Sequence, residues 1–177
     1  MSEKQYLLIS IFFDSSIVAL APLAKLVTQH HSTIRKSQLL TFGDKQGLQM
    51  QVNGPWHEIV KLENELNKLA KKWKCKITLD RSNKTLPPKK MVLYSIEFNA
   101  PENINAIDEI TQFFAEQGLA IYEMNLGPYI TNPLGYNMQH MQMYILIPDS
   151  YSIPDLRENF VNLCDSLNID AYLEPAH

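Results

Sequence analysis

The chain opens with an alternation of apolar and polar residues, and the same alternation recurs 87 positions later. Tyr94 in the second stretch corresponds to Leu7 in the first (94 − 7 = 87). The first stretch is YLLISIFF and the second is VLYSIEF. An alternation with a period of two residues is typical of a strand with one buried face. We therefore predict a strand at each place. The inward-facing residues are predicted to be Leu7, Ile9, Ile11, Tyr94, Ile96 and Phe98.

A helical spacing of apolar residues follows each predicted strand, again with the offset of 87. Positions i, i+3, i+6 and i+7 lie on one face of a helix and form one buried stripe. We expect the first helix to begin near Val18, because Pro22 is tolerated only in the first turn, where its N–H would have no partner. The apolar positions are Leu20, Leu23, Leu26, Val27, Ile107, Ile110, Phe113 and Phe114.

Two further strands and a second helix complete each half. The strand pairs are TIRKSQLLTF with GLQMQVNG and AIYEMNL with MQHMQMYILI, and Gly43-Asp44 is the predicted turn of the first pair. The second helix recurs at an offset of 94 (153 − 59), because the second hairpin loop, GPYITNPLGYN, is longer. Each half ends in a short strand, CKITLD or NIDAYLE. The apolar stripes of these helices are Ile59, Leu62, Leu66, Leu69 and Trp73, and Ile153, Leu156, Phe160, Leu163 and Leu167.

Each half therefore has the order β-α-β-β-α-β, which defines the ferredoxin-like unit. The predicted fold class is α+β, with two ferredoxin-like domains in tandem at residues 1–80 and 91–177. Residues 81–90, RSNKTLPPKK, are the predicted linker, because prolines and basic residues favour a semi-rigid, solvated segment. Helices cover one face of each sheet, and the other face must be covered, exposed or paired.

Composition and charge narrow the function classes. The 177 residues have a formal net charge of −3, which argues against direct nucleic-acid binding, because that function needs a basic face. No apolar run reaches the roughly 18 residues that span a membrane, and MSEKQYLLISIFFD lacks the features of a signal peptide. Cys75 and Cys164 are expected to be reduced thiols. We expect a cytoplasmic protein with protein and small-molecule partners, no membrane contact and no cofactor.

The turn between the first strand and the first helix is the candidate binding site. Asp14, Ser15, Ser16 and Ile17 lie there, and the backbone N–H groups at a helix N-terminus can hold a small ligand. Turns of this kind usually contain glycine, which lets the ligand approach the backbone, and this turn has none. The alternative is a helix cap, in which Asp14 or a serine accepts hydrogen bonds from the N–H groups.

Structural roles are assigned to the other polar and reactive residues. His30 and His31, at the end of the first helix, suit the negative end of its dipole, and no Cys or acidic residue recurs at metal-binding spacing. Trp56 is expected to pack against the start of the second helix, and residues 71–76, KKWKCK, form its solvated end. Cys164 is expected to be buried and inert. No Ser-His-Asp, Cys-His or paired-carboxylate arrangement stands out, so an enzyme is not expected.

The strand MQHMQMYILI divides its side chains between two environments. Met141, Met143 and Ile145 share one face and are expected in the core. His140 and Gln142 share the opposite face with Tyr144. If that face is paired with the other domain, His140 and Gln142 are expected near the seam between the domains.

Several segments, taken in order, resemble the glycine cleavage system transcriptional repressor family, whose members consist of tandem ACT domains. They are YLLIS, SQLLTFGD, MQVNGPWHEIVKLENEL, HMQM and LCDSLN. The resemblance covers the chain from about Tyr6 to Asn168, and the order and spacing of the segments carry it. The first turn of the family has an Asp-Arg-Pro-Gly type signature. Residues 15–18 occupy the matching positions here, with Val18 in place of the glycine, and residues 102–105 do so in the second half.

The resemblance implies a non-catalytic regulator. Such a protein is expected to be a homodimer that contacts a transcriptional activator of glycine catabolism, under the control of an amino acid such as glycine. The alternative is an amino-acid-sensing regulatory subunit of a metabolic enzyme, and the protein that co-purifies with the chain would distinguish the two. The ligand-binding residues that the resemblance implies are Asp14, Ser15, Ser16, Ile17, Glu102 and Asn103.

Overall fold

The computed structural model describes residues 4–14, 19–82, 90–101, 106–129 and 137–176. The chain divides into two compact units, Met1–Leu86 and Pro87–His177. Each unit contains a four-stranded antiparallel sheet and two helices in the order β-α-β-β-α-β. The predicted fold class is therefore confirmed.

The first unit places its first strand in the middle of the sheet, in the order β2-β3-β1-β4. Gly43 has a φ of +61° between β2 and β3, which confirms the predicted tight turn, because glycine adopts this conformation without steric cost. The last strand ends at Ser82, inside the range predicted as linker. The elements are β1 Lys4–Asp14, α1 Leu20–Gln29, β2 Thr33–Phe42, β3 Lys45–Pro55, α2 Trp56–Trp73 and β4 Lys76–Ser82.

The second unit repeats this topology, with the strand order β6-β7-β5-β8. Both sheets also share a register shift in the corresponding edge strand, at Ile34/Lys36 in β2 and at Ile121/Glu123 in β6. The elements are β5 Met91–Pro101, α3 Ala106–Glu116, β6 Ala120–Tyr129, β7 Met138–Pro148, α4 Ile153–Leu167 and β8 Tyr172–Pro175.

The core of the first unit lies between the sheet and its two helices. Alternate side chains of β1 enter it, and the stripes of α1 and α2 meet them, as the apolar spacing predicts. One residue differs: Leu20, the first residue of α1, is 44% exposed. The inward set includes Leu7, Ile9, Ile11, Leu23, Val27, Ile59, Leu62 and Leu66.

The core of the second unit is richer in aromatic and methionine side chains. Met141, Met143 and Ile145 are buried, as the alternation along β7 predicts. Phe114 and Phe160 pack with ring centroids 5.6 Å apart, which joins α3 to α4. Burial raises the pKa of the Cys164 thiol to about 11, so this cysteine has little thiolate at neutral pH, as expected of an inert thiol.

The start of α1 differs from the prediction. The helix begins at Leu20 instead of Val18, and Pro22 lies in its first turn, where a proline is tolerated. Ala19 is the N-cap, and no side-chain hydrogen bond caps this helix in the described residues. Asp14 belongs to β1 and does not cap α1. The predicted cap is therefore wrong for Asp14.

A close approach of two backbone segments fixes the end of α1 against the start of α2. A Cβ atom on Gly54 would lie 2.3 Å from Ser32 Oγ, so only glycine fits without movement. Ser32 donates a hydrogen bond to the carbonyl of His30 at 3.1 Å.

Trp56 begins α2 and is 59% exposed, so the prediction that it packs there is wrong. Trp73, at the other end, does pack, with its ring 6.5 Å from that of Phe13.

Candidate functional site

The predicted binding turn is only partly within the described residues. Asp14 is its one described member, and it ends β1 beside Lys45 of β3, whose ammonium contacts its carboxylate. The hydrogen bond to Asp14 raises the pKa of Lys45. Asp14 thus has a charge partner across the sheet. Ser15, Ser16, Ile17, Glu102 and Asn103 lie outside the described residues.

The face of the first sheet that is turned away from its helices is called here the outer face. Because side chains alternate along a strand, Leu8, Gln49 and Gln51 point to it while their neighbours Leu48 and Met50 are buried. The pairing of the strands aligns the residues of the outer face in rows across the sheet. The two central rows are Lys36, Gln51, Leu8 and Asp80, and Gln38, Gln49, Ser10 and Thr78.

A cavity of about 180 Å³ lies on this outer face, and we call it the outer-face cavity. One lysine, three glutamines, one leucine and one methionine line it. Gln51 donates a hydrogen bond to Ser82 Oγ at 3.3 Å, which orients its carboxamide. The lining residues are Leu8, Lys36, Gln38, Gln49, Met50 and Gln51.

Near the β2–β3 turn the outer face carries both charged and apolar side chains. The row nearest the turn is Asp14, Lys45 and Phe42, and the next row is Phe12, Gly47 and Leu40. Phe12 and Leu40 lie opposite Gly47, and a Cβ on Gly47 would lie 3.0 Å from the ring of Phe12 and 3.5 Å from the ring of Phe42. Phe12 is 55% exposed and Phe42 is 58% exposed. The exposed group of Phe12, Leu40 and Phe42 is called the aromatic patch.

A buried carboxylate joins the two helices of the first unit. The side chain of Glu58 is only 11% exposed, and its Oε2 lies 3.3 Å from His30 Nδ1. Lys61 donates a hydrogen bond to Oε1 at 2.8 Å, and His57 Nε2 lies 3.3 Å from the same oxygen. The hydrogen bond that Glu58 accepts from Lys61 lowers the pKa of Glu58, the one it accepts from His30 lowers this pKa further, and burial raises it. Glu58 is therefore ionised at neutral pH and holds the end of α1 against α2.

On the second sheet, His140 lies on the face away from the helices, as predicted. Its Nδ1 is 3.1 Å from Asn99 Oδ1, and its Nε2 is 3.6 Å from Glu97 Oε1. The register places His140 directly opposite Asn99. The three side chains form a polar group on the strands β5 and β7.

Sequence reasoning did not single out Glu58, Lys45 or Gln49. The alternation GLQMQV contains the signal for Gln49, since every second residue is polar where the others are apolar. Glu58 with Lys61 has the i, i+3 spacing of a helical ion pair. Nothing local indicates that His30 would complete the group, because it is 28 residues away.

The described residues offer neither a metal-binding cluster nor a membrane-spanning helix. No group of three or more His, Cys, Asp or Glu side chains in the described part of the chain is arranged to hold a metal ion. Among the helices of the described ranges, none combines the length and the apolar character that crossing a membrane requires.

The family comparison covers the first unit of the chain. Residues 5–80 match the family model of the ACT domain. The second unit repeats the topology of the first, strand for strand. The chain therefore has the ACT domain fold in tandem.

Solved structures extend this similarity to the whole chain. The chain is similar to the crystal structure of a proposed glycine cleavage system transcriptional repressor, with 20% identity, a TM-score of 0.68, and 98% of each chain covered. It is also similar to an unknown protein from Galdieria sulphuraria, with 13% identity, a TM-score of 0.76, and coverage of 99% of this chain and 100% of that one. At these identities the likeness establishes the fold alone. No curated protein matches the sequence.

Proposed function

We propose that this chain is a non-catalytic regulatory protein that acts in the cytoplasm by contact with a transcriptional activator, under the control of an amino acid such as glycine. The observation that supports the proposal is the similarity to the repressor structure, which extends over 98% of both chains and so includes both units in the same order. The ACT match of residues 5–80 supports a regulatory role.

The aromatic patch supports a protein partner. Phe12, Leu40 and Phe42 expose 55%, 41% and 58% of their surface on one sheet face. Aromatic side chains are enriched at protein interfaces, and an exposed apolar group on a folded domain often marks one. The contact with the activator is proposed at this patch.

Capture of partners by the tagged chain tests the proposal. We expect the chain to retain a transcriptional activator from an extract of its source cells, and the double variant Phe12→Ser with Phe42→Ser to lose it. Trp56→Ser, which changes another exposed aromatic residue of the same unit, is the matched control and should retain the activator. A biosynthetic enzyme captured in its place would favour the alternative, a regulatory subunit. Capture that survives the double variant would refute the contact at the patch.

Amino-acid control is tested by thermal unfolding with glycine. A ligand at about 100 times its Kd adds about 2.7 kcal/mol of stability, which is a visible increase in Tm. If the predicted turn binds glycine, Ser15→Ala with Ser16→Ala should reduce the increase. An unchanged Tm at all glycine concentrations would contradict glycine control.

A homodimer is part of the proposal, because sheets with a face not covered by helices tend to pair. Light scattering measures the mass of the chain in solution. The expected mass is twice the 20.4 kDa of one chain. A mass of one chain at high protein concentration would contradict the dimer.

A further inference from the structure

The two units of the chain carry opposite net charges. In the first unit, Met1–Leu86, 13 basic and 7 acidic residues give a net charge of +6. In the second unit, Pro87–His177, 3 basic and 12 acidic residues give −9, and the two together make the −3 of the whole chain. Fields of opposite sign draw two protein surfaces together before they touch. The first unit of one molecule is therefore attracted to the second unit of another.

Positive charge is concentrated where α2 ends and β4 begins. Lys71 and Lys72 lie in the last turn of α2, Lys74 follows the helix, and Lys76 begins β4. All four side chains are exposed. Salt bridges to carboxylates occupy other lysines of this unit, but among the described residues no carboxylate pairs with any of these four. We call this group of four lysines the basic end.

The equivalent place in the second unit is acidic. The helices α2 and α4 correspond at an offset of 94, so Asp165 occupies the position of Lys71 and Asp170 that of Lys76 (165 − 71 = 94 and 170 − 76 = 94). Both aspartates are exposed, and neither has a cation as partner within the described ranges. A hydrogen bond to Asp170 raises the pKa of Tyr172, and the charges of Asp170 and Asp165 raise it further, so the two aspartates share one region. We call Asp165 and Asp170 the acidic end.

The fold itself does not favour a carboxylate at the acidic end. Asp165 lies in the last turn of α4, where free carbonyl groups carry partial negative charge, and a cation is the favourable residue there. The last turn of α4 contains no basic residue. Lys71, at the same position of α2, follows the usual preference. A cation from another molecule beside Asp165 would offset this unfavourable charge.

The spacing of the opposite charges matches because the two ends share one backbone path. Lys74 and Asn168 close their helices in the same left-handed conformation, each with a φ of +53°. Lys71 and Lys76 are therefore arranged as Asp165 and Asp170 are. If two such ends meet about a local two-fold axis, Lys71 of one copy lies beside Asp170 of the other, and Lys76 beside Asp165.

We infer that two copies of this chain associate in antiparallel orientation, with the basic end of each first unit against the acidic end of the other copy's second unit. The pair contains this contact twice, as the two-fold axis of a closed dimer requires. The inference rests on the homodimer of the proposed function and adds the surfaces that meet. Complementary charges of this kind fix the orientation of a complex and speed its formation.

Sedimentation equilibrium of the full chain tests the inference. We expect a mass of twice 20.4 kDa at low salt. The Kd of the dimer should rise about tenfold or more from about 0.05 M to about 0.5 M NaCl, because salt screens exposed charges. Lys71→Glu with Lys76→Glu should raise the Kd to a similar extent at low salt, and so should Asp165→Lys with Asp170→Lys, because each places like charges in contact.

Mixing the two double variants is the decisive experiment. In a mixed pair, each contact again joins lysines to acidic residues, so the mixture should form a dimer although each variant alone does not. Restored association also shows that both variants are folded. Lys25→Glu with Arg35→Glu is the matched control, since it changes the charge of the first unit equally at exposed residues of α1 and β2. Its Kd should stay within about threefold of the original.

Three results would overturn the inference. They are a mass of one chain at low salt, an equal rise of the Kd in the control, and a mixture that stays monomeric. A monomer that binds a single-stranded RNA or an acidic peptide through Lys71 and Lys76 would overturn it in favour of that occupant. A dimer with an unchanged Kd in Lys71→Glu with Lys76→Glu would keep the proposed homodimer and refute these surfaces. Failure to capture an activator, with the mixture still dimeric, would contradict the proposed function and leave this contact standing.

Discussion

Replacing Gly54 with alanine should loosen the junction between α1 and α2. The new Cβ would lie 2.3 Å from Ser32 Oγ, 3.2 Å from Ser32 Cβ and 3.3 Å from Ser32 Cα. Ordinary contacts are 3.4–4 Å, so the two segments must move apart by about 1 Å. The φ of Gly54 is not positive, so strain in the backbone of alanine itself does not contribute.

The expected loss of stability follows from these distances. Overpacking costs about 1–3 kcal/mol, and the lower entropy of alanine in the unfolded chain offsets about 0.4–1 kcal/mol of it. A net destabilisation of about 1–2 kcal/mol is therefore expected for Gly54→Ala. Ser32→Ala removes the closest atom and loses the hydrogen bond to the His30 carbonyl, which costs about 0.5–1.5 kcal/mol. In that background, Gly54→Ala should cost less than about 1 kcal/mol, since the shortest contact is absent.

Urea unfolding followed by tryptophan fluorescence measures this effect in the first unit. Both tryptophans of the chain, Trp56 and Trp73, are in α2, so the signal reports on that unit. A loss of about 1–2 kcal/mol lowers the urea midpoint by roughly 0.5–1 M. Gly127→Ala is the control, because a Cβ there meets no atom within 4 Å. Gly127 lies in the second unit, so its unfolding is followed by circular dichroism, and the free energy of unfolding should stay within about 0.5 kcal/mol of the original. An equal loss for Gly54→Ala with and without Ser32→Ala would refute the steric explanation.

Three further predictions concern the core, the buried carboxylate and the thiols. Phe160→Ala should destabilise the second unit by about 3–5 kcal/mol in circular-dichroism unfolding, because the ring is fully buried against Phe114; a loss below about 1 kcal/mol would contradict this packing. Glu58→Gln should be less stable than the original at pH 7, and the difference should shrink as the pH falls below 4.5. The folded-state pKa of Glu58 is lowered, so its contribution is complete above the unfolded value and is lost as the pH falls through the folded one. A difference that stays constant from pH 7 to pH 3 would rule out the ionised carboxylate as its source. Iodoacetamide at pH 8 should label Cys75, which is partly exposed, before Cys164, whose pKa is about 11; mass spectrometry showing equal rates would contradict the burial of Cys164.

The order of the elements was predictable because burial of apolar side chains depends on local spacing. Alternation placed Ile9 and Met143 in the cores, and the helical spacing placed Leu62 and Phe160 there. These side chains are inward because each element has only one apolar face, whatever its neighbours are. The repetition of the pattern was enough to predict two units of the same topology.

Element ends and exposed aromatic residues were less predictable. Leu20 and Trp56 are the first residues of α1 and α2, and both are exposed although Leu20 continues the apolar spacing of its helix. Whether an apolar residue at the end of a helix is covered depends on the length and position of other elements. Local spacing contains no information about either.

The candidate sites show the same division. The sequence by itself determined which residues of GLQMQV face the core and which face away, because the period of a strand is two. Only the tertiary structure decided that Gln49 and Gln51 face away beside Lys36 and Leu8, since sheet register brings together strands that are far apart in the chain. It likewise paired Asp14 with Lys45 across 31 residues, and Glu58 with His30 across 28. Charge pairs and cavities form between distant segments, so their partners are fixed by the fold and not by local sequence.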